Sequence, residues 1–209
     1  MQHRPLVQLL TRAESCYKTW SQQHNRTISL LLALSNIIAQ RTAAISNNSN
    51  NAVEFIDTPR LVYKQSLVFE NTLASLNNIV DDLESILFDL QKLEAEATKW
   101  VNKESSTMIK RAIEPAPPLS TETLIQVAAI QPHDVLQYIA NVHYMLRKDF
   151  EYKQAWLDQL PEYSVRTEQL DDMIQQWDQQ PHVQYPLFDE ISERIKLYKQ
   201  VYKVVTSTD

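Results

Sequence analysis

The sequence predicts an all-α protein: an elongated helical bundle with long, coiled-coil-like antiparallel helices and a smaller C-terminal helical lobe. The 209 residues include no glycine, although average usage would give roughly fifteen. Apolar residues recur at alternating steps of three and four over long stretches, which is the helical heptad pattern. No stretch alternates with period two for long enough to predict a sheet. Because helices do not need glycine whereas left-handed turns favour it, the three observations agree.

The first helix is predicted over residues 5–45, and Pro5 suits its first turn because the missing N–H would have no partner there. Its seam consists of Leu6, Leu10, Ala13, Tyr17, Trp20, His24, Thr27, Leu31, Leu34, Ile38 and Ile45. A second row, Leu30, Ile37 and Ala44, widens the stripe beyond a two-stranded coiled coil and predicts packing in a bundle. The polar run at 46–51 ends the helix.

The second helix is predicted over residues 59–111, with Asp57 as N-cap and Pro59 in the first turn. Its seam is Val62, Ser66, Phe69, Leu73, Leu76, Val80, Leu83, Leu87, Leu90, Glu94, Ala97 and Val101, flanked by Ile79, Ile86, Leu93 and Trp100. At about 1.5 Å per residue the helix is roughly 75 Å long, which predicts an elongated molecule. Residues 1–113 are therefore predicted to form a long helical hairpin.

A proline-rich linker is predicted at 114–119, followed by a C-terminal helical lobe at 120–209. The lobe is predicted to contain helices at about 121–129, 132–160, 164–179 and 186–205, with Pro161 and Pro181 ending two of them. The inward positions are Leu136, Ile139, His143, Leu146, Phe150, Lys153, Leu157 and Leu160, then Val165, Leu170, Met173, Ile174 and Trp177, then Leu187, Ile191, Ile195, Tyr198, Tyr202 and Val205.

The composition argues against catalysis. Without glycine, phosphate-cradling loops, dinucleotide turns and nucleophile elbows cannot take their usual form. The five histidines are far apart and no Glu-x-x-His motif occurs, so neither a metal site nor a cofactor is predicted. A net charge of −6 without a basic run predicts no direct nucleic-acid binding. We therefore expect a non-enzymatic chain.

The cysteine count and the length of the apolar runs give predictions about the cellular compartment and about membrane insertion. The single cysteine, Cys16, predicts a reducing compartment. The longest continuous apolar run, 30–34, is far below the length that spans a bilayer, so we expect no membrane segment and no secretion signal.

Aromatic and basic residues of the C-terminal lobe are the candidates for partner binding. Aromatic anchors beside long basic side chains suit a protein interface, although they equally suit the edge of a bundle. The candidates are Arg147, Lys148, Phe150, Lys153, Trp156 and Trp177. His24 and His143 lie on seams and are interpreted as core or partner-facing polar positions. The stripe of Lys196, Lys199 and Lys203 is either a solvated face or a surface for an acidic partner.

Several stretches resemble the AIRIM family of ribosome maturation factors. They are Arg4-Pro5-Leu6-Val7, Cys16-Tyr17, residues 31–37, and residues 124–160 with Pro132, Arg147-Lys148-Asp149-Phe150 and Lys153. The sibling CINP family, named for interaction with a cyclin-dependent kinase, is resembled at residues 81–93 and 177–183. The chain begins almost directly at its first helix, which is similar to AIRIM, whereas the stretch 177–183 departs from the AIRIM pattern.

The resemblance implies a non-catalytic adaptor subunit of an AAA+ ATPase complex. Such a complex releases a shuttling assembly factor from cytoplasmic precursors of the large ribosomal subunit and is linked to replisome protein turnover on chromatin. The implied partners are AAA+ ATPase subunits, a paralogous helical subunit in a heterodimer and ribosome precursor proteins, in the cytoplasm and nucleus. The alternatives are a CINP-like replication or checkpoint subunit of the same complex and a generic coiled-coil tether or scaffold subunit.

Overall fold

Five α-helices make up the part of the chain that the structure, a computed structural model, describes, namely residues 3–48, 57–111, 131–163 and 167–207. They are α1 His3–Asn48, α2 Thr58–Arg111, α3 Pro132–Tyr163, α4 Thr167–Gln179 and α5 Tyr185–Ser207. No strand occurs within these ranges. The all-α prediction, with long helices in a bundle, is confirmed.

The predicted starts of α2 and α3 are confirmed at the level of single bonds. The Asp57 Oδ1 accepts a hydrogen bond of 3.1 Å from the Arg60 N–H, which satisfies one of the donors that a helix N-terminus leaves unpaired. Pro132 is the first residue of α3, where its missing N–H costs nothing. The first bond of α3 runs from the Val135 N–H to the Gln131 carbonyl, 3.1 Å away.

The boundaries differ from prediction in the C-terminal part of the chain. Helix α3 continues to Tyr163, so Pro161 lies in its last turn and does not end it. A proline near a helix end removes a single hydrogen bond and leaves the preceding turns intact. The predicted linker at 114–119 and helix at 121–129 lie outside the described residues, as do residues 164–166 before α4.

The chain divides into two compact units, and the division falls within the long helices α1, α2 and α3. The first unit comprises Met1–Thr19, Ile86–Arg147 and Val183–Asp209, and the second comprises Trp20–Ser85 and Lys148–His182. Each unit therefore contains parts of α1, α2 and α3, joined by α5 in the first unit and by α4 in the second. Within the second unit, buried side chains of α1, α2, α3 and α4 form one core. The predicted hairpin at 1–113 and lobe at 120–209 stay a prediction, because the linker between them lies outside the described residues.

The first unit is held together by contacts between each pair of neighbouring helices. The Tyr17 ring of α1 stacks on the Phe188 ring of α5 with an interplanar angle of 8°. Between α2 and α3, the His143 Nδ1 lies 2.8 Å from the Glu94 Oε2. Buried apolar side chains fill the space between the helices, and they include Leu6, Leu10, Leu90, Leu93, Val135, Ile139, Leu146, Ile191 and Ile195.

The second unit shows directly that α1 and α2 are antiparallel. The Gln23 Nε2 donates to the Asp82 Oδ2 at 3.0 Å, and the Gln65 Nε2 lies 3.5 Å from the Gln40 Oε1. Residue numbers rise along one helix as they fall along the other. The apolar core of this unit is formed by Leu31, Leu34, Ile38, Leu76, Leu160, Leu170, Met173, Ile174 and Trp177.

The buried seam of α2 is rotated from the predicted one. Its members step by three and four as Leu76, Ile79, Leu83, Ile86, Leu90, Leu93 and Ala97. They combine four residues of the predicted seam with three of its flanking row. Within residues 76–97, the other positions of the predicted seam, Val80, Leu87 and Glu94, are only half-buried. Neighbouring positions on a helix point about 100° apart, so replacing every second seam residue by the one before it turns the buried face by roughly half that angle.

The end of α1 is less buried than its periodicity predicts. Ile45, the last residue of the predicted seam, is 54% exposed, because the core of the second unit reaches only to Ile38 on this helix. Over Arg4–Ser46, α1 is long and apolar enough to cross a membrane by length and composition alone. That observation is weak, since the core helix of a bundle passes the same test, and the expected lack of a membrane partner stays a prediction.

Candidate functional site

A buried carboxylate lies at the centre of the most polar region inside the second unit. Asp149 of α3 is fully buried, and its Oδ2 accepts bonds of 3.2 Å from the Trp20 Nε1 and from the Gln180 Nε2. The Lys153 Nζ, one turn further along α3, forms a salt bridge with the same oxygen. We call Asp149, Lys153, Trp20 and Gln180 the Asp149 cluster. It connects α1, α3 and the residue that follows α4.

Lys153 is enclosed by two tryptophan rings. Its Nζ lies 5.5 Å from the centroid of the Trp20 ring and 5.7 Å from that of the Trp177 ring, within the range of cation–π attraction. Burial lowers the pKa of Lys153, and the Asp149 carboxylate acts in the opposite direction. The ammonium group therefore depends on Asp149 for its charge to be tolerated.

A second chain of hydrogen bonds continues from Trp177 to α1. The Trp177 Nε1 donates to the Thr27 Oγ1 at 2.9 Å, and the Thr27 hydroxyl donates to the His24 carbonyl at 2.6 Å. Thr27 is thereby both acceptor and donor inside the core. This arrangement satisfies the indole N–H, which a buried tryptophan otherwise leaves unpaired.

The turn after α4 uses a left-handed residue that is not glycine. Gln180 has a φ of 42°, the conformation in which helices commonly end and for which glycine is the usual choice. The chain has no glycine to place there. The Gln180 side chain is buried and bonded to Asp149, so the Asp149 cluster offsets the strain of about 1 kcal/mol that this conformation costs.

The Asp149 cluster has the residue types of acid–base chemistry but not the access. Lys153 is 1% exposed and Asp149 is fully buried, so no substrate atom reaches the Lys153 Nζ or the Asp149 oxygens. Every donor of the cluster named above points at one oxygen, Oδ2, while Oδ1 has no hydrogen-bond partner within the described part of the chain. The geometry supports a role in fixing the relative positions of α1, α3 and the turn after α4 within this unit.

His24, one turn after Trp20 on α1, is buried beside this region. Burial lowers its pKa to about 4, and the positive charge of Lys153 acts in the same direction. The Nε2 lies 3.8 Å from the Asp178 Oδ1, beyond hydrogen-bond distance, and that carboxylate is largely exposed to water, which screens it. The Nδ1 has no hydrogen-bond partner among the described residues, so His24 is held as a neutral ring.

This depressed pKa predicts an acid-sensitive fold. The unfolded chain takes up a proton at His24 near pH 6.5, whereas the folded chain takes it up only near pH 4. The contribution of the neutral ring to the free energy of unfolding is therefore fully present above pH 6.5. It falls as the pH drops from 6.5 to 4, by up to about 3 kcal/mol. The measurement is urea unfolding across this pH range for the wild type and for His24→Phe.

The control is the same replacement at His133, which is exposed on α3. We expect His24→Phe to reduce the loss of stability between pH 6.5 and 4 and His133→Phe to leave it unchanged. Parallel pH profiles for the wild type and His24→Phe would show that His24 is not buried as a neutral ring.

The structure separates the six sequence-predicted contact residues into two groups. Phe150, Lys153 and Trp177 are buried, because they belong to the inner face of their helices, and they present no surface to a partner in this conformation. Arg147 is exposed, while Lys148 and Trp156 are half-exposed. The latter three stay predicted contact residues.

The sequence pattern does not show that Asp149, Trp20 and Gln180 form one group. The i, i+4 pair of Asp149 and Lys153 on a mostly apolar helix face was the signal available. The contribution of Gln180 could not be found in this way, because it depends on a backbone turn 31 residues away in sequence.

One further predicted position, His143, lies in the first unit. His143 was interpreted as a polar seam residue, and its bond to Glu94 gives it a partner. In the described ranges, no group of three or more histidine, cysteine or acidic side chains is positioned to hold a metal ion.

A scan against protein families places the chain beside known proteins. The model of the CA109-like family, described as ribosome biogenesis protein C1orf109-like, matches residues 2–194. AIRIM is C1orf109, so the resemblance to AIRIM is confirmed at the level of the family. No curated protein matches the sequence significantly. The resemblance to CINP stays a prediction.

Proposed function

The chain belongs to the C1orf109-like family of ribosome biogenesis proteins, and from this premise we propose that it is a non-catalytic adaptor subunit of an AAA+ ATPase complex. The complex would act on cytoplasmic precursors of the large ribosomal subunit and release a shuttling assembly factor. The observation that carries the ribosomal role is the family match over residues 2–194. The ATPase connection rests on the resemblance of the chain to AIRIM.

The geometry of the second unit supports an adaptor over an enzyme. Its acid–base pair, Asp149 and Lys153, is enclosed by Trp20 and Trp177 and serves packing. The absence of glycine removes the usual phosphate-binding loops. ATP would therefore be bound and hydrolysed by the partner subunits, and this chain would contribute contact surface.

The proposed partners are AAA+ ATPase subunits, a paralogous helical subunit and ribosome precursor proteins, and the proposed locations are the cytoplasm and the nucleus. Among the predicted contact residues, Trp156 is the aromatic candidate. Its ring meets the Tyr152 ring edge-on at 6.1 Å, and it is half-exposed. It also packs against the core of the second unit, and partly covered aromatic rings are frequent anchors of protein interfaces.

The test is a native purification of the tagged full chain in the presence of a non-hydrolysable ATP analogue, followed by mass spectrometry. We expect AAA+ ATPase subunits and large-subunit precursor proteins to be recovered together. The Trp156→Ala variant should recover at least several-fold less of the ATPase, whereas Phe88→Ala, at an exposed aromatic residue on α2, should recover as much as the wild type. Recovery of precursor proteins without any AAA+ ATPase would contradict the adaptor role and leave the family role standing.

The CINP-like alternative rests partly on the stretch 177–183. In the structure this stretch comprises the end of α4 and the turn that follows it, and it includes the buried Trp177 and Gln180. The resemblance to CINP in this stretch therefore falls on residues that pack inside the chain. The same purification distinguishes the alternatives, since a CINP-like subunit would recover replication proteins and a generic tether would recover neither group.

A further inference from the structure

A groove in the first unit has the shape and charge of a docking site. It has a volume of about 800 Å³ and is lined by the start of α1, the end of α2 and the end of α5. This volume lies in the range of sites that enclose a ligand or a few side chains. All the residues that line it belong to the first unit, so the groove does not depend on the second unit.

The floor of the groove is aromatic and largely preformed. The Tyr198 ring is buried and stacks on the Tyr202 ring, with centroids 6.0 Å apart. The Trp100 ring carries the Lys103 Nζ at 5.0 Å from its centroid. Pro5 and Val7 complete the apolar surface. Tyr202 is 38% exposed, and an apolar side chain that enters the groove would cover it.

The rim of the groove carries positive charge on a chain whose net charge is −6. Of its three basic side chains, Arg12 is neutralised by Glu96, to which it donates at 2.8 Å. Arg4 and Lys199 are exposed and form no salt bridge among the described residues. Glu14 lies within electrostatic reach of Lys199, but its own short contacts go to Ser192 and Lys18.

We propose that this groove binds an acidic peptide segment of a partner protein, with a large apolar side chain on the aromatic floor and carboxylates at Arg4 and Lys199. Apolar anchoring inside a charged rim is the usual anatomy of such sites. Single-stranded nucleic acid fits less well, because it stacks its bases on open ring faces. Here the Tyr198 and Tyr202 rings stack on each other and Lys103 covers one face of Trp100. The inference does not rest on the ATPase role.

The test uses the full chain and a phage-displayed library of random dodecapeptides, with the Arg4→Glu/Lys199→Glu double variant for counter-selection. We expect the enriched peptides to combine aspartate or glutamate with tryptophan, phenylalanine or leucine. Synthetic versions should bind the double variant and Tyr202→Ala about tenfold more weakly than the wild type. Replacing the acidic residues of the peptide by their amides should weaken binding to the wild type by a similar factor.

The matched controls lie on two of the three helices that line the groove. Lys196 is exposed on α5, one turn before Lys199, and Phe88 is exposed on α2; neither lines the groove. Lys196→Glu and Phe88→Ala should bind the peptides as the wild type does. Thermal melting followed by circular dichroism checks that each variant folds. If Tyr202→Ala does not fold, the Arg4→Glu/Lys199→Glu double variant alone decides the outcome, because both of its changes are at exposed charged residues.

Two results would overturn the proposal. One is that no peptide is enriched, or that the enriched peptides bind the double variant and the wild type equally well. The other is that a fluorescein-labelled uridylate dodecamer binds the wild type more tightly than any peptide and loses binding in the double variant. The second result would assign the groove to nucleic acid.

Discussion

Replacing Asp149 with alanine is expected to lower the free energy of unfolding by about 3–5 kcal/mol, the largest effect that we predict for a single polar residue in this chain. The change leaves the buried Lys153 ammonium without a counter-charge. It also removes the acceptor of the Trp20 indole N–H and of the Gln180 amide. Urea unfolding followed by tryptophan fluorescence measures the effect.

Two further variants make the result specific. Asp158→Ala removes an exposed carboxylate of the same helix and should change stability by less than about 0.5 kcal/mol. The double variant Asp149→Leu/Lys153→Met replaces the whole ion pair with apolar groups of similar size. It should recover the part of the loss that comes from the unpaired Lys153 ammonium, but not the part that comes from the Trp20 indole N–H and the Gln180 amide, which still lack their acceptor. Equal unfolding curves for Asp149→Ala and Asp158→Ala would contradict the buried ion pair.

Replacing Leu83 with aspartate is expected to destabilise the bundle by about 4 kcal/mol or more, because it buries an unpaired charge. Leu83 is 1% exposed and belongs both to the predicted seam of α2 and to the observed one. Circular dichroism should show a lower melting temperature, or loss of helix at room temperature if the variant cannot fold.

The comparison for this variant lies on the same helix. Phe88 is 58% exposed, so Phe88→Asp brings the same charge to a position that faces water and should leave the melting temperature nearly unchanged. If Leu83→Asp melts like the wild type, the seam of α2 is placed on the wrong face. If Phe88→Asp is as damaging as Leu83→Asp, the apolar side of α2 is wider than the structure shows.

The helices themselves could be predicted from sequence because their signals are local. The N-cap at Asp57 and the start at Pro132 depend on a few neighbouring residues, and both were found at the expected positions. The rotation of the α2 seam could not be found, since either row of apolar residues satisfies the heptad pattern. Which row is buried depends on where α1 and α3 pack.

The assignment of contact residues shows the same limit at the level of single side chains. The pattern places Lys153 both on the inward face of its helix and among the candidates for partner binding, and the structure shows it buried with Asp149 and close to two tryptophan rings. The sequence shows a lysine four residues after an aspartate. It does not show that Trp20 and Trp177, 157 positions apart in sequence numbering, lie on either side of the ammonium.

The turn at Gln180 has a consequence for the order in which the chain assembles. A helix that ends at glycine can stop by itself, because the left-handed conformation costs glycine almost nothing. Gln180 takes that conformation with its side chain bonded to Asp149 on another helix. The left-handed turn after α4 is therefore secured only when α3 is in place. An isolated α4 peptide would still stop before Pro181, which disfavours a helical residue in front of it, but it would lack the bond to Asp149 that holds Gln180 in this conformation.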